Sequence, residues 1–204
     1  MVTGMTTALQ RNQLVHGAAR SFRGIARAAS GTALDVPTPC QDWDLGELLR
    51  HLLFYAPVLA ASGRRADPPP GPTGEKDIVL DERWPEVLAD GVDDVALAWG
   101  DPLAWSGSTS MAGSEPMPAP MIGGMVLGEL VVHGWDLAMA AGFRPEYSGD
   151  VLTGTAQAVD QMAEMGRGMG IFGPEIMVGA GASMLDRIVA RTGRAPGWRG
   201  SALG

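Results

Sequence analysis

Glu129 and His133 lie four residues apart within GELVVHGWDLA (128–138), the most apolar stretch of a 204-residue chain. A carboxylate and an imidazole at that spacing stand one above the other on one face of an α-helix, as a divalent metal requires of its ligands. Asp136, three residues further on, falls on the same face. Ile122, Met125, Val126, Leu137 and Ala140 surround these polar groups, so the face points into a core and not into water. A buried carboxylate needs a partner, which a cation or a histidine supplies. The chain holds only three histidines (His16, His51 and His133), so few such sites can be built.

His51 sits at the edge of the apolar stripe of an earlier helix, beside Leu48 and Tyr55. One ligand on one helix and an i, i+4 pair on another is how bundles assemble metal sites in their cores. Mixed imidazole and carboxylate ligands suit zinc, which keeps a fourth position open when catalytic. The plainer reading of His51 is a satisfied boundary histidine, and an ExxxH pair by itself is common as surface decoration. Asp136 has three readings: a carboxylate orienting His133, a packing cap, or a metal ligand in place of Glu129. Cys40 reads as a small packing residue before it reads as a soft ligand or reactive thiol. Trp43 and Trp135 read as core anchors, His16 as solvated, and Arg64 and Arg65 as part of a wet loop.

These residues are positioned by helices. Leu9, Leu14, Val15, Phe22 and Ile25 predict a first helix over about 5–30, stopped at Gly31. Pro37 and Pro39 make PTPCQ a turn. Asp44 and Glu47 then form a capping box opening a second helix to about Ser62, with Pro57 expected to kink it or end its regular part. A Pro- and Gly-rich loop (63–77) separates it from a third helix over Glu82–Gly100. The stretch 101–120 breaks helix rules and predicts a long loop or small hairpin. A fourth helix runs from Met121 to Gly142 and a fifth from the Ser148 cap to Met169. A last short helix covers 184–193.

Composition narrows the function. At 46% hydrophobic and 19% charged residues, the chain has enough apolar material for one sizeable core. A single domain over 1–204 is the simpler organisation. Six Phe and Tyr against twelve Met favour closely packed helices over strands. A net charge of −8 offers no basic footprint for a phosphate backbone, so nucleic acid is not an expected partner. No apolar run approaches the roughly 20 residues of a membrane span. The opening segment has no signal-peptide core, and the single cysteine fits a reducing compartment, so a cytoplasmic location is expected. The apolar content points to a homodimer.

Three blocks carry a family resemblance: PTPCQDWDLGELLRHLLFYAPVLA (37–60), GELVVHGWDLAMAAG (128–142) and MLDRIVARTGRAPGW (184–198). Together and in this order they resemble an actinobacterial branch of the DinB-like superfamily, which includes the mycothiol-dependent maleylpyruvate isomerases and other thiol-dependent transferases. The resemblance implies an all-α, DinB-like four-helix bundle, here with additional short helices and long irregular loops. It also implies a divalent metal, zinc or nickel, held near one end of the core. On that resemblance the ligands are His51, Glu129 and His133, with Asp136 behind them or as an alternative ligand. The isomerase has a second, C-terminal domain contributing to its active site, whereas this chain ends soon after Trp198. Use of a thiol such as mycothiol is therefore an expectation from kinship alone. The leading expectation is a metal-dependent S-transferase or isomerase acting on a small electrophile, its catalytic residues and substrate unassigned. The alternatives are a non-catalytic metal- or ligand-binding module, or a metal-free core in which the three side chains hydrogen-bond one another.

Overall fold

The computed structural model describes residues 2–200 except Gln41 and Ala112, with side chains from Arg11 onward. The fold is all-α. Its helices are α1 (Val2–Ala28), α2 (Leu45–Arg64), α3 (Trp84–Gly100), α4 (Ala119–Gly128), α5 (Gly134–Ala140), α6 (Gly149–Gly168) and α7 (Met184–Arg191). A π-helical turn, Glu129–His133, joins α4 to α5 without a break, so the two form one rod. The only strands among the described residues are β1 (Ser108–Thr109) and β2 (Met117–Pro118), a small antiparallel hairpin of the kind 101–120 allowed.

Local chemistry sets the helix ends. At the start of α2 the Asp44 carboxylate accepts from the Glu47 amide at 2.8 Å, and the Asp44 amide donates to Glu47 Oε2 at 3.0 Å. That is the expected capping box, and it satisfies two backbone donors that the first helical turn leaves unpaired. Ser148 and Ser183 cap α6 and α7 in the same manner. Pro57 lies inside α2 without ending it, because packing on both sides outweighs the one lost backbone bond. The first helix stops before Gly31, and the third begins at Trp84 with Pro85 in its first turn.

Four rods, α1, α2, α3 and α4–α5, share one cluster of buried side chains. Phe22, Leu48, Leu49, Leu88, Trp99, Ile122, Trp135 and Leu137 are fully buried in it. Each such side chain contributes about 1.5–3 kcal/mol through burial. Two of the buried indoles are oriented by polar edges: Trp99 Nε1 donates to the Leu59 carbonyl (2.9 Å) and Trp105 Nε1 to the Trp99 carbonyl (2.8 Å). Helices α6 and α7 pack outside this bundle, α6 against α4 and α7 against α6.

The fourth predicted helix differs from expectation in its middle. The sequence implied regular α-geometry through Glu129 and His133, but the backbone widens there to π-type hydrogen bonding. A wider turn frees carbonyls from their α-helical partners. The Tyr147 hydroxyl answers two of them, donating to Leu130 O at 3.1 Å and lying 3.4 Å from Val131 O. Gly134 makes that approach feasible, since a Cβ there would strike the Tyr147 hydroxyl and sit 3.0 Å from Phe22 Cδ2. Replacing Gly134 by Ala is expected to cost about 1–3 kcal/mol by overpacking. A chemical-denaturation midpoint equal to that of the parent protein would contradict this account of the π turn.

Candidate metal centre

The π turn and α2 face each other across the core, and His51, Glu129 and His133 meet there. Their ligand atoms lie within 4.8 Å of one another. His51 Nε2 is 3.5 Å from Glu129 Oε2, and His133 Nε2 is 3.6 Å from the same oxygen. The two imidazole rings approach edge to face with centroids 5.1 Å apart. The Glu129 side chain is 29% exposed, whereas those of His51 and His133 are 16% and 11% exposed, so the cluster comes nearest to solvent on the glutamate side.

Each imidazole is held from behind by a further carboxylate. His133 Nδ1 lies 2.9 Å from Asp136 Oδ2, and His51 Nδ1 lies 3.1 Å from Glu75 Oε1. An ionised carboxylate only accepts hydrogen bonds, so each pair favours a proton on Nδ1, which in the neutral ring leaves Nε2 with a free lone pair. Both lone pairs then face Glu129. His51 Nε2 is buried yet makes no hydrogen bond, and a buried polar atom without a partner calls for one.

The donor set fits a divalent cation. Ligands about 2.0–2.2 Å from a tetrahedral ion stand about 3.3–3.6 Å apart, close to the spacings from Glu129 to both imidazoles.

Asp136 is fully buried, and its role is decided by its partners. Arg194 Nε donates to both of its oxygens at 3.0 Å, and Arg194 Nη2 donates to Oδ2 at 2.9 Å. With His133 on the same carboxylate, Asp136 stands behind His133 while Glu129 faces the shared point. Arg194 spends its remaining donors on Thr192 O, Thr192 Oγ1 and Cys40 Sγ. It is 8% exposed and reaches the site from the turn after α7. Gly193, at φ +88°, makes this turn: a Cβ would come within 2.6 Å of the Gly173 Cα.

Charge follows from these contacts. Burial alone would push the Glu129 carboxyl up, but His133, His51 and Arg194 outweigh it and hold it down at about 2. Burial likewise opposes ionisation of Asp136, and Arg194 with His133 holds it below the usual carboxylate range. For His51, burial disfavours the cation, yet Glu129 and Glu75 raise its pKa. The Cys40 thiol is pushed by burial to about 11, a rise that Arg194 lessens and Asp136 and Glu129 reinforce.

Trp43 is half-buried at the site, with its ring 4.9 Å from that of His51 and stacked at 6.1 Å on that of His133. It is thus a wall of the cluster as well as a packing residue. Tyr55 covers the other side of His51 at 4.7 Å. Trp135 is a core anchor and His16 is exposed, both as expected. Arg64 pairs with Asp94, and Arg65 donates to the Leu103 carbonyl at 3.0 Å. Below Glu129 a small cavity of about 20 Å³ is walled by Phe22, Leu52, Leu59 and Leu130, giving the site an apolar floor. Glu75, Arg194 and Trp43 were not assigned to the site from the sequence. Arg194 left a signal there as part of the closing TGR motif, and Trp43 as part of the first block.

Fold and site together define an all-helical bundle with an imidazole–carboxylate cluster in its core. The chain belongs to the family described as mycothiol maleylpyruvate isomerase N-terminal domain, whose sequence model matches residues 15–138. That span includes His51, Glu75, Glu129, His133 and Asp136, while Arg194 lies beyond it. No curated protein and no solved structure gives a significant match. No described helix is long and apolar enough to cross a membrane.

Two outcomes follow from the pairings. Arg194→Met strands the buried Asp136 carboxylate and should cost about 3–5 kcal/mol, read by denaturant unfolding; a loss under about 1 kcal/mol would contradict the assigned role. The Cys40 thiol should alkylate slowly near neutral pH and speed up toward pH 11. Rapid iodoacetamide labelling at pH 7 would show that the thiol is not held as described.

Proposed function

We propose that this protein is a metal-dependent enzyme that uses a low-molecular-weight thiol, of the mycothiol type, to conjugate or isomerise a small electrophilic substrate. The observation carrying this reading is the convergence of two imidazole Nε2 atoms and one carboxylate oxygen, each imidazole held from behind by its own carboxylate. His51, Glu129 and His133 would hold a divalent ion, zinc or nickel, with a position left for a ligand on the open, glutamate side. When bound, such an ion supplies Lewis acidity, lowering the pKa of a thiol and polarising a substrate oxygen.

The chain's own residues supply the rest. Glu129 stays ionised throughout the physiological range and contributes negative charge to the ligand set. Asp136 and Arg194 keep His133 in one tautomer and one orientation. Trp43 and Tyr55 cover the faces of the histidines and limit water to the open side. Cys40 is a poor nucleophile, because its thiol remains protonated at neutral pH. A reacting thiol must therefore come from outside the chain, in agreement with the mycothiol-related family to which it belongs.

The test is metal analysis followed by turnover. Purified protein should contain about one equivalent of zinc or nickel per chain, absent from His133→Ala and Glu129→Gln proteins that remain folded. Metal-loaded protein should consume mycothiol with an electrophilic substrate, and chelator should abolish this. Absence of bound metal after zinc and nickel supplementation would overturn the reading. Metal in a closed shell that no thiol perturbs would favour a structural or sensory module instead.

A further inference from the structure

Glu75 belongs to the irregular, Pro- and Gly-rich connection between α2 and α3, 24 residues from the histidine it touches. The connection is shaped to present it. Residues Glu75–Asp77 form a 3₁₀ turn packed on α2. The Asp77 carboxylate accepts from the Thr73 hydroxyl at 2.7 Å and from the Thr73 amide at 3.2 Å. The Asp77 amide donates to Gly74 O and the Ile78 amide to Glu75 O, at 3.0 and 3.1 Å. Short side chain-to-backbone bonds of this type fix a turn that has no regular structure to lean on. The Glu75 side chain is 36% exposed, while the imidazole it meets is 16% exposed. One carboxylate thus spans the boundary between a solvated loop and a buried ligand atom.

The arrangement repeats that of Asp136 on His133, with a different anchor. Asp136 is locked by Arg194 inside the core, whereas Glu75 is carried by a surface turn. We propose that Glu75 is a positioning residue for His51: it fixes the imidazole as the Nδ1–H tautomer and so keeps the Nε2 lone pair turned toward Glu129 and His133. A neutral imidazole carries its proton on one nitrogen only, and the partner of that nitrogen decides which. Without Glu75 the proton is free to move to Nε2, where Glu129 is the nearest acceptor at 3.5 Å. The His51 arm would then close into a local hydrogen bond and lose its lone pair to the shared point. The loop between α2 and α3 therefore controls one of the three proposed ligands, while the other two are set by the core. The value of this control for metal binding rests on the reading given under Proposed function; the tautomer itself does not.

The experiment uses full-length, metal-free protein at a pH where the imidazoles are neutral. Long-range nitrogen–proton NMR spectra report the tautomer of each histidine, and competition with a chromogenic chelator reports zinc affinity. Parent protein should show Nδ1–H at His51 and at His133. In Glu75→Ala, His51 should move to Nε2–H while His133 does not, and zinc affinity should fall about 10–100-fold. Glu75→Gln, whose amide oxygen accepts the same hydrogen bond, should restore both readings in large part. Thr73→Val, which removes one brace of the turn, should give an intermediate tautomer mixture. If His51 keeps Nδ1–H in Glu75→Ala, or if Glu75→Gln behaves as the alanine variant does, the assignment is wrong. A tautomer shift as described in a protein that takes up no zinc would uphold the role of Glu75 and remove the metal reading alone.

Discussion

A carboxylate with no exposure to water does not stay charged unaided, and Asp136 is such a carboxylate. Its charge is met on one side by Arg194 and on the other by His133. This buried triad ties three parts of the chain: the α5 rod, the turn after α7 and, through the Arg194–Cys40 contact, the turn that precedes α2. Buried ion pairs of this kind are weak evidence for stability when compared with an apolar core, yet breaking one partner is expensive. The triad is thus best understood as a device that sets one arrangement. Arg194 cannot leave without uncovering Asp136, and Asp136 cannot move without releasing His133.

A second constraint acts on the fourth rod. A regular α-helix would keep its carbonyls paired within itself and need nothing from outside. The π turn at Glu129–His133 departs from that pairing, and Tyr147 stands ready to satisfy Leu130 and Val131. Turns of this type are rare and often found at functional sites, since they re-aim side chains within an otherwise rigid rod. Here they aim Glu129 and His133 at α2, where the capping box and the Leu45–Leu48–Leu49–Leu52 stripe fix the height of His51. Core packing, an unusual helical turn and a buried triad all bear on the placement of His51, Glu129 and His133.

Much of this was legible in the sequence, for identifiable reasons. Helix existence followed from apolar periodicity, and the start of α2 from Asp44 and Glu47, because those signals are local. The i, i+4 pair and the histidine of α2 were visible for the same reason, and the closing motif pointed to the family. The π turn left no local mark; its contacts, Tyr147 on the carbonyls and Phe22 against Gly134, come from elsewhere in the chain. Glu75 stood in a loop whose composition spoke only of irregular backbone, and its partner is 24 residues away. Arg194 meets Asp136 across 58 residues, a pairing that only the folded chain creates. Trp43 reads as a core residue from composition because its neighbours, two imidazoles, arrive from α2 and the π turn.

Two clusters of metal-ligating groups share His133: one with His51 and Glu129, the other with Cys40 and Asp136. The proposed reading takes the first, because Asp136 already accepts from Arg194 and His133 and the Cys40 Sγ lies against Arg194 Nη2. X-ray absorption at the metal edge of zinc- or nickel-loaded protein, prepared without added thiol, tests this choice directly. The account predicts a first shell of nitrogen and oxygen only, with the scattering pattern of two imidazoles. A sulfur scatterer at about 2.3 Å would place Cys40 in the shell and contradict it.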